Sequence, residues 1–146
     1  MYKKLVFVKR IKKIGGRRYH KRAKTSYALF HRVNGRPNKN RRCFIHFHGG
    51  GAIMGSPEAF KAATSRYAFE ADANIISVSY RLAPDGKAPL GIIDAYAGLK
   101  NVIEKPKKFG CDPKKIAMFG ESGGGYIVAG VGMMLAERNE SDSIVY

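Results

Sequence analysis

From residue 43 onward, short apolar runs alternate with longer stretches of helical period. Residues 43–47 (Cys-Phe-Ile-His-Phe), 75–80 (Ile-Ile-Ser-Val-Ser-Tyr) and 116–119 (Ile-Ala-Met-Phe) are uncharged and rich in β-branched, aromatic or other apolar residues, which predicts buried strands. Between the first two, Phe60, Ala63, Tyr67 and Ala71 recur at helical spacing. Ser56-Pro57-Glu58 ahead of them carries helix-start chemistry, with Ser as N-cap, Pro at the first helical position and an acid in the first turn. Ile92, Ala95, Leu99 and Val102 predict a second helix over residues 90–104, stopped by Pro106. Asp112-Pro113 turns the chain into the third strand, residues 123–138 predict the last helix, and residues 143–146 begin a further strand. The order β-α-β-α-β-α implies a parallel sheet with helices on both faces. Ahead of it, residues 3–14 and about 23–33 read as two strands around Gly15-Gly16, with a polar loop over 34–42. They are expected to form an antiparallel edge of the same sheet.

Composition sharpens this picture in two places. The net charge is +16, yet residues 1–42 hold 16 Lys/Arg and no acid, and the remaining 11 basic and 11 acidic residues cancel. All of the excess therefore lies on the N-terminal strands and loop. The length suits one domain with a real core. Two cysteines, Cys43 and Cys111, are too few for a disulfide scaffold and are expected to be unpaired thiols in a reducing compartment. The apolar run at residues 5–8 is too short for a signal peptide. The longest uncharged run, residues 122–136, falls short of the roughly 20 residues of a membrane span. These features predict a cytoplasmic protein without a membrane span.

The chemistry concentrates in two glycine-rich segments, each directly after a predicted strand. Gly120-Glu121-Ser122-Gly123-Gly124 is a G-x-S-x-G pentapeptide between a strand and a helix, the context of a nucleophile elbow. Such a turn strains the serine backbone and needs small neighbours. His48-Gly49-Gly50-Gly51 leaves backbone N–H groups bare, as required to hold an oxygen that becomes negative during acyl transfer.

Together with Tyr80-Arg81-Leu82-Ala83-Pro84 and Asp94-Ala95-Tyr96, these segments resemble, in order, the hormone-sensitive-lipase-like branch of the α/β-hydrolases, a family of carboxylesterases and lipases. The resemblance runs over roughly residues 20–140. It implies a partial α/β-hydrolase fold and a carboxylic ester hydrolase acting on a small-molecule ester, with no metal and no cofactor. Carried over by position, Ser122 is the nucleophile, and Gly50, Gly51 and Gly123 are the oxyanion-hole donors. His48, Gly49, Gly120 and Gly124 support the two motifs, and Tyr80 to Pro84 and Asp94 are framework residues behind the site.

The departures are informative. Glu121, Gly123 and Tyr126 stand where the family usually has Asp, Ala and Asn, and Glu121 is expected to make a structural hydrogen bond. The family's acid and histidine lie far downstream of the serine, whereas only 24 residues follow Ser122 and none is a histidine. His20, His31, His46 and His48 all precede it; His48 shapes the oxyanion loop, and His46 is expected to be a satisfied core histidine. Glu137, Glu140 and Asp142 are poor candidates for the acid. The chain is thus expected to be a single incomplete domain over residues 1–146, the N-terminal half of such an enzyme, with a basic hairpin and loop over 1–42 and a βαβαβα core over 43–146. Without a base the serine is a weak nucleophile, and loss of a triad histidine costs on the order of 10⁶ in turnover. An apolar strand left at the sheet edge is expected to pair with a complementary half or a second copy. Two alternatives come from other classes: a non-catalytic binding protein on the same scaffold, and a basic nucleic-acid-binding module over the N-terminal segment. The segment has no nucleic-acid motif, so the solvated-edge reading is favoured. Met118, Met133 and Met134 are expected in the core.

Overall fold

The structure is a computed structural model, and it describes residues 2–7, 26–31 and 41–145, with side chains from residue 41 onward. The strands are β1 (Tyr2–Phe7), β2 (Ser26–His31), β3 (Arg41–Phe47), β4 (Asn74–Val78) and β5 (Cys111–Gly120). The helices are α1 (Lys61–Glu70), α2 (Leu90–Glu104), α3 (Pro106–Phe109) and α4 (Gly123–Glu137), with a 3₁₀ turn at Ser141–Ser143. The strands form one sheet in the order β1-β2-β4-β3-β5. β3 pairs in parallel with both β4 and β5, while β2 runs antiparallel to β1 and to β4. The expected parallel core with an antiparallel basic edge is therefore present. The flanks of the two predicted N-terminal strands and most of the loop over 34–42 lie outside the described residues.

Strand alternation sorts the side chains between two layers. Cys43, Ile45 and Phe47 of β3, with Ile76 and Val78 of β4, join Leu99 and Val102 of α2 and Ile127, Val131 and Leu135 of α4 in the main core. Ile75 packs on the opposite face with Ala68 of α1, Phe44 and Phe119. α2 matches the predicted span and is buried almost all round, down to Asp94 and Asn101. Such burial is what a helix held between a sheet and a second helix requires.

Some expectations fail. Residues 57–60 form turns, and α1 begins at Lys61. Ser56 Oγ still accepts from the Ala59 N–H at 3.3 Å, so the cap chemistry closes a turn rather than a helix. The buried positions of α1 are Thr64 and Ala68, which puts Tyr67 at the rim, 39% exposed. Asp112-Pro113 lies inside the span of β5: the register passes from Arg41↔Cys111 to Cys43↔Ile116, leaving residues 112–115 bulged out. Met134 is in the core, but Met133 is 67% exposed on α4.

Cys43 and Cys111 are disulfide-bonded, which overturns the expectation of free thiols. They lie 68 residues apart, yet the β3–β5 pairing brings their Cα atoms to 5.5 Å, within bridging range. Composition does not reveal such a contact. The bridge also withdraws the ground on which the sequence placed the chain in a reducing compartment. No helix among the described residues is long and apolar enough to cross a membrane.

Candidate active site

The three parallel strands deliver their chemistry to one place. β3 leads into His48-Gly49-Gly50-Gly51, β4 into Tyr80-Arg81-Leu82-Ala83-Pro84, and β5 into the Ser122 turn. All three segments lie at the carboxyl ends of parallel strands, where α/β sheets bind their ligands. Ser122 joins β5 to α4 at φ 51°, ψ −118°, a conformation foreign to a non-glycine residue. Strain of this kind costs about 1–3 kcal/mol and persists only when the surroundings hold it. The serine is exposed, and among the described residues its hydroxyl has no hydrogen-bond partner.

The glycine loop lies directly against this turn. A Cβ placed on Gly123 would sit 2.7 Å from the Gly51 nitrogen and 3.0 Å from that of Ala52, so the two backbones touch. Gly50 turns at φ +120° and its carbonyl accepts from Ile53 and Met54, both at 3.1 Å, which folds the loop back on itself. Among the described residues, the N–H groups of Gly50, Gly51 and Gly123 have no backbone acceptor. Gly49, Gly120 and Gly124 sit at close backbone crossings: a Cβ would lie 3.0 Å from Glu121 O, 2.5 Å from Gly124 C and 1.9 Å from Phe47 O respectively.

His48 supports the loop from within. Its Nδ1–H donates to the Gly49 carbonyl at 2.8 Å, and its ring stacks on Tyr80 at 4.5 Å between centroids. The Tyr80 hydroxyl in turn donates to the His48 carbonyl at 2.6 Å, and burial pushes that phenol up to about 12. Burial also holds the His48 imidazole below its ordinary value, hence neutral near pH 7. At the other end of the loop, the Ala83 N–H donates to the Ala52 carbonyl at 2.8 Å. Between these two props, Arg81 is clamped by Asp94 of α2 through Nε–Oδ2 at 2.6 Å and Nη2–Oδ1 at 2.8 Å, and its backbone N–H reaches Oδ2 at 3.1 Å. The hydrogen bonds that Arg81 donates to Asp94 raise the Arg81 pKa further.

His46 is fully buried and fully partnered. Its Nε2 meets Glu121 Oε2 at 2.8 Å and its Nδ1 meets Ser77 Oγ at 2.5 Å. Burial lowers its pKa in spite of the Glu121 carboxylate. Glu121 thus makes the structural bond expected of it, but sequence alone carries no signal for either partner. Glu140 accepts from the Tyr96 hydroxyl at 2.7 Å and pairs with Lys100 at 3.2 Å, so its carboxylate is engaged by those two partners. His20 and His31 have no described side chains. Among the described residues, no group of three or more His, Cys, Asp or Glu is placed to hold a metal.

A strained serine between a parallel strand and a helix, faced by a glycine loop, defines an α/β-hydrolase. The chain belongs to that family, in its hormone-sensitive-lipase-like branch: residues 44–146 match the family described as alpha/beta hydrolase fold. It is 41% identical over 85 residues to the esterase LipI of Mycobacterium tuberculosis, a match covering 58% of this chain and 27% of that protein. It is 36% identical over 99 residues to an arylesterase of Saccharolobus solfataricus, covering 68% and 32%. Among solved structures, the hyperthermophilic esterase of the archaeon Pyrobaculum calidifontis superposes with a TM-score of 0.80 at 32% identity, over 97% of this chain and 41% of that one. The matched part of the chain therefore spans between a quarter and a third of the length of these curated relatives.

Proposed function

We propose that residues 1–146 form a single incomplete domain carrying the nucleophile half of a carboxylic ester hydrolase. The observation that carries this reading is Ser122 at φ 51° with the N–H groups of Gly50, Gly51 and Gly123 unclaimed beside it. Ser122 Oγ attacks the ester carbonyl carbon, and the three N–H groups hold the oxygen as it becomes anionic. The alkoxide leaves as the alcohol after taking up a proton, and water then releases the acid from the acyl-serine. Exposed Ile53 and Met54 on the loop, and Tyr126 one turn beyond the serine, supply apolar surface for a small-molecule ester. The proton of Ser122 needs a base. Among the described residues, the histidines His46 and His48 are engaged elsewhere through the ring nitrogens already described. The chain by itself is therefore close to inert, slower by on the order of 10⁶ than a complete triad.

A fluorophosphonate probe tests this reading. At alkaline pH, where hydroxide substitutes for the missing base, Ser122 is expected to label slowly, and Ser122→Ala is expected not to label. Label that survives the substitution removes Ser122 as the nucleophile. A wholly unlabelled protein supports instead a binding protein on a hydrolase scaffold.

The sheet also has an open flank. β5 pairs with β3 on one side; on the other, Val145 N–H donates to Ile116 O at 2.8 Å, and among the described residues no strand covers Ala117 to Gly120. Unpaired edge strands recruit further strands. The chain is expected to associate there with a complementary half or with itself, and a monodisperse monomer in sedimentation velocity would contradict this.

A further inference from the structure

The serine conformation is strained, and the residue immediately before it is moored to the sheet. We propose that His46 is a positioning residue that holds the elbow in shape through Glu121; its bearing on catalysis rests on the reading of Ser122 as the nucleophile. Glu121 is the first elbow residue beyond the end of β5, and its carbonyl accepts from the Gly124 N–H at 2.8 Å, starting α4. Its side chain reaches back over the sheet to His46 Nε2 at 2.8 Å. His46 is anchored on its far side by Ser77 of β4 at 2.5 Å, and its ring sits between those of Phe119 (4.9 Å) and Phe60 (5.8 Å). With the carboxylate accepting from Nε2–H, the neutral ring has one tautomer available, in which Nδ1 accepts the Ser77 hydroxyl proton. A rigid, buried ring thus ties the elbow to the two central strands. Neither the G-x-S-x-G pattern nor the glycine loop contains this tie. It depends on a histidine two residues before the loop and on a glutamate where the family usually has the shorter aspartate.

Glu121 is partly exposed, so it can be changed without emptying the core. In the full chain at pH 7.5, Glu121→Ala is expected to speed amide exchange at Gly124 and Gly125 at least tenfold, leaving Leu99 and Val102 of α2 unchanged. It is also expected to abolish the downfield His46 Nε2–H resonance. Glu121→Gln retains an acceptor oxygen and is expected to restore both readouts, with exchange within about threefold of the parent. The proposal is overturned if the elbow amides are unmoved in Glu121→Ala, if they accelerate only in step with Leu99, or if Glu121→Gln fails to rescue. These measurements do not depend on reactivity. Coupling found in a protein whose Ser122 does not label keeps His46 as the support of the turn and removes only the nucleophile reading.

Discussion

Gly124→Ala is expected to be the most damaging single-methyl change in the described structure. The added Cβ would lie 1.9 Å from the Phe47 carbonyl oxygen, 2.8 Å from its carbon and 2.9 Å from the His48 oxygen. All three are backbone atoms at the end of β3, a strand paired on both sides, so no rotamer relieves the clash. The remaining relief is to push α4 off the sheet, opening the core around Ile127 and Val131. Overpacking by flexible neighbours typically costs about 1–3 kcal/mol, and a rigid backbone puts this case at or above the top of that range. For a chain of this size, about 3 kcal/mol lowers the thermal midpoint by roughly 6–12 °C. Gly132→Ala is the matched control, because a Cβ there meets nothing within 4 Å. Relief of the glycine entropy cost within α4 is expected to stabilise it by up to about 1 kcal/mol. Thermal or urea midpoints of the two variants check both signs; a Gly124→Ala protein as stable as its parent would refute the β3–α4 contact.

Asp94→Ala is expected to cost about 3–5 kcal/mol, the usual penalty for orphaning one member of a buried ion pair. The Asp94 side chain is 5% exposed and that of Arg81 15%, so the guanidinium left behind has little access to water. The carboxylate accepts two side-chain bonds and one backbone bond from Arg81, and all three disappear together. The loss propagates toward the site, because Tyr80 and Ala83 on either side of Arg81 hold the two ends of the glycine loop. Adding Arg81→Met to Asp94→Ala is expected to recover a large part of the stability, since no unpaired charge then remains buried. Denaturant unfolding of the two single variants and the double measures the coupling. A cost below about 1 kcal/mol for Asp94→Ala would mean that the pair is solvated.

Much of this was legible in the chain because it rests on local pattern. The period of Ile92, Ala95, Leu99 and Val102 gave α2 its limits, since Pro106 cannot continue a helix. The turn at Ser122 followed from glycines around one serine between an apolar run and a helix. Where the structure departs from local pattern, a competing local interaction has taken over. Ser56 capped a turn instead of α1, and the Asp112 side chain accepted the Lys114 N–H at 3.0 Å, turning the chain within β5 rather than before it. Met133 stands among apolar neighbours in the sequence, yet it is 67% exposed on α4.

The sequence by itself determined the β-α-β-α-β-α order over residues 43–138, the parallel core with its basic antiparallel edge, and the family, because periodicity, turn residues and motif spacing are properties of neighbouring positions. It contained no signal for α3, and the strand it predicts over 143–146 is replaced by the 3₁₀ turn at Ser141–Ser143. Only the tertiary structure decided the pairings between distant positions: Cys43 with Cys111, Arg81 with Asp94, and Ser77 through His46 to Glu121. Each joins residues on separate elements, and their contact depends on strand order and register. Those in turn are settled by burying the whole core at once, which no local stretch of sequence records.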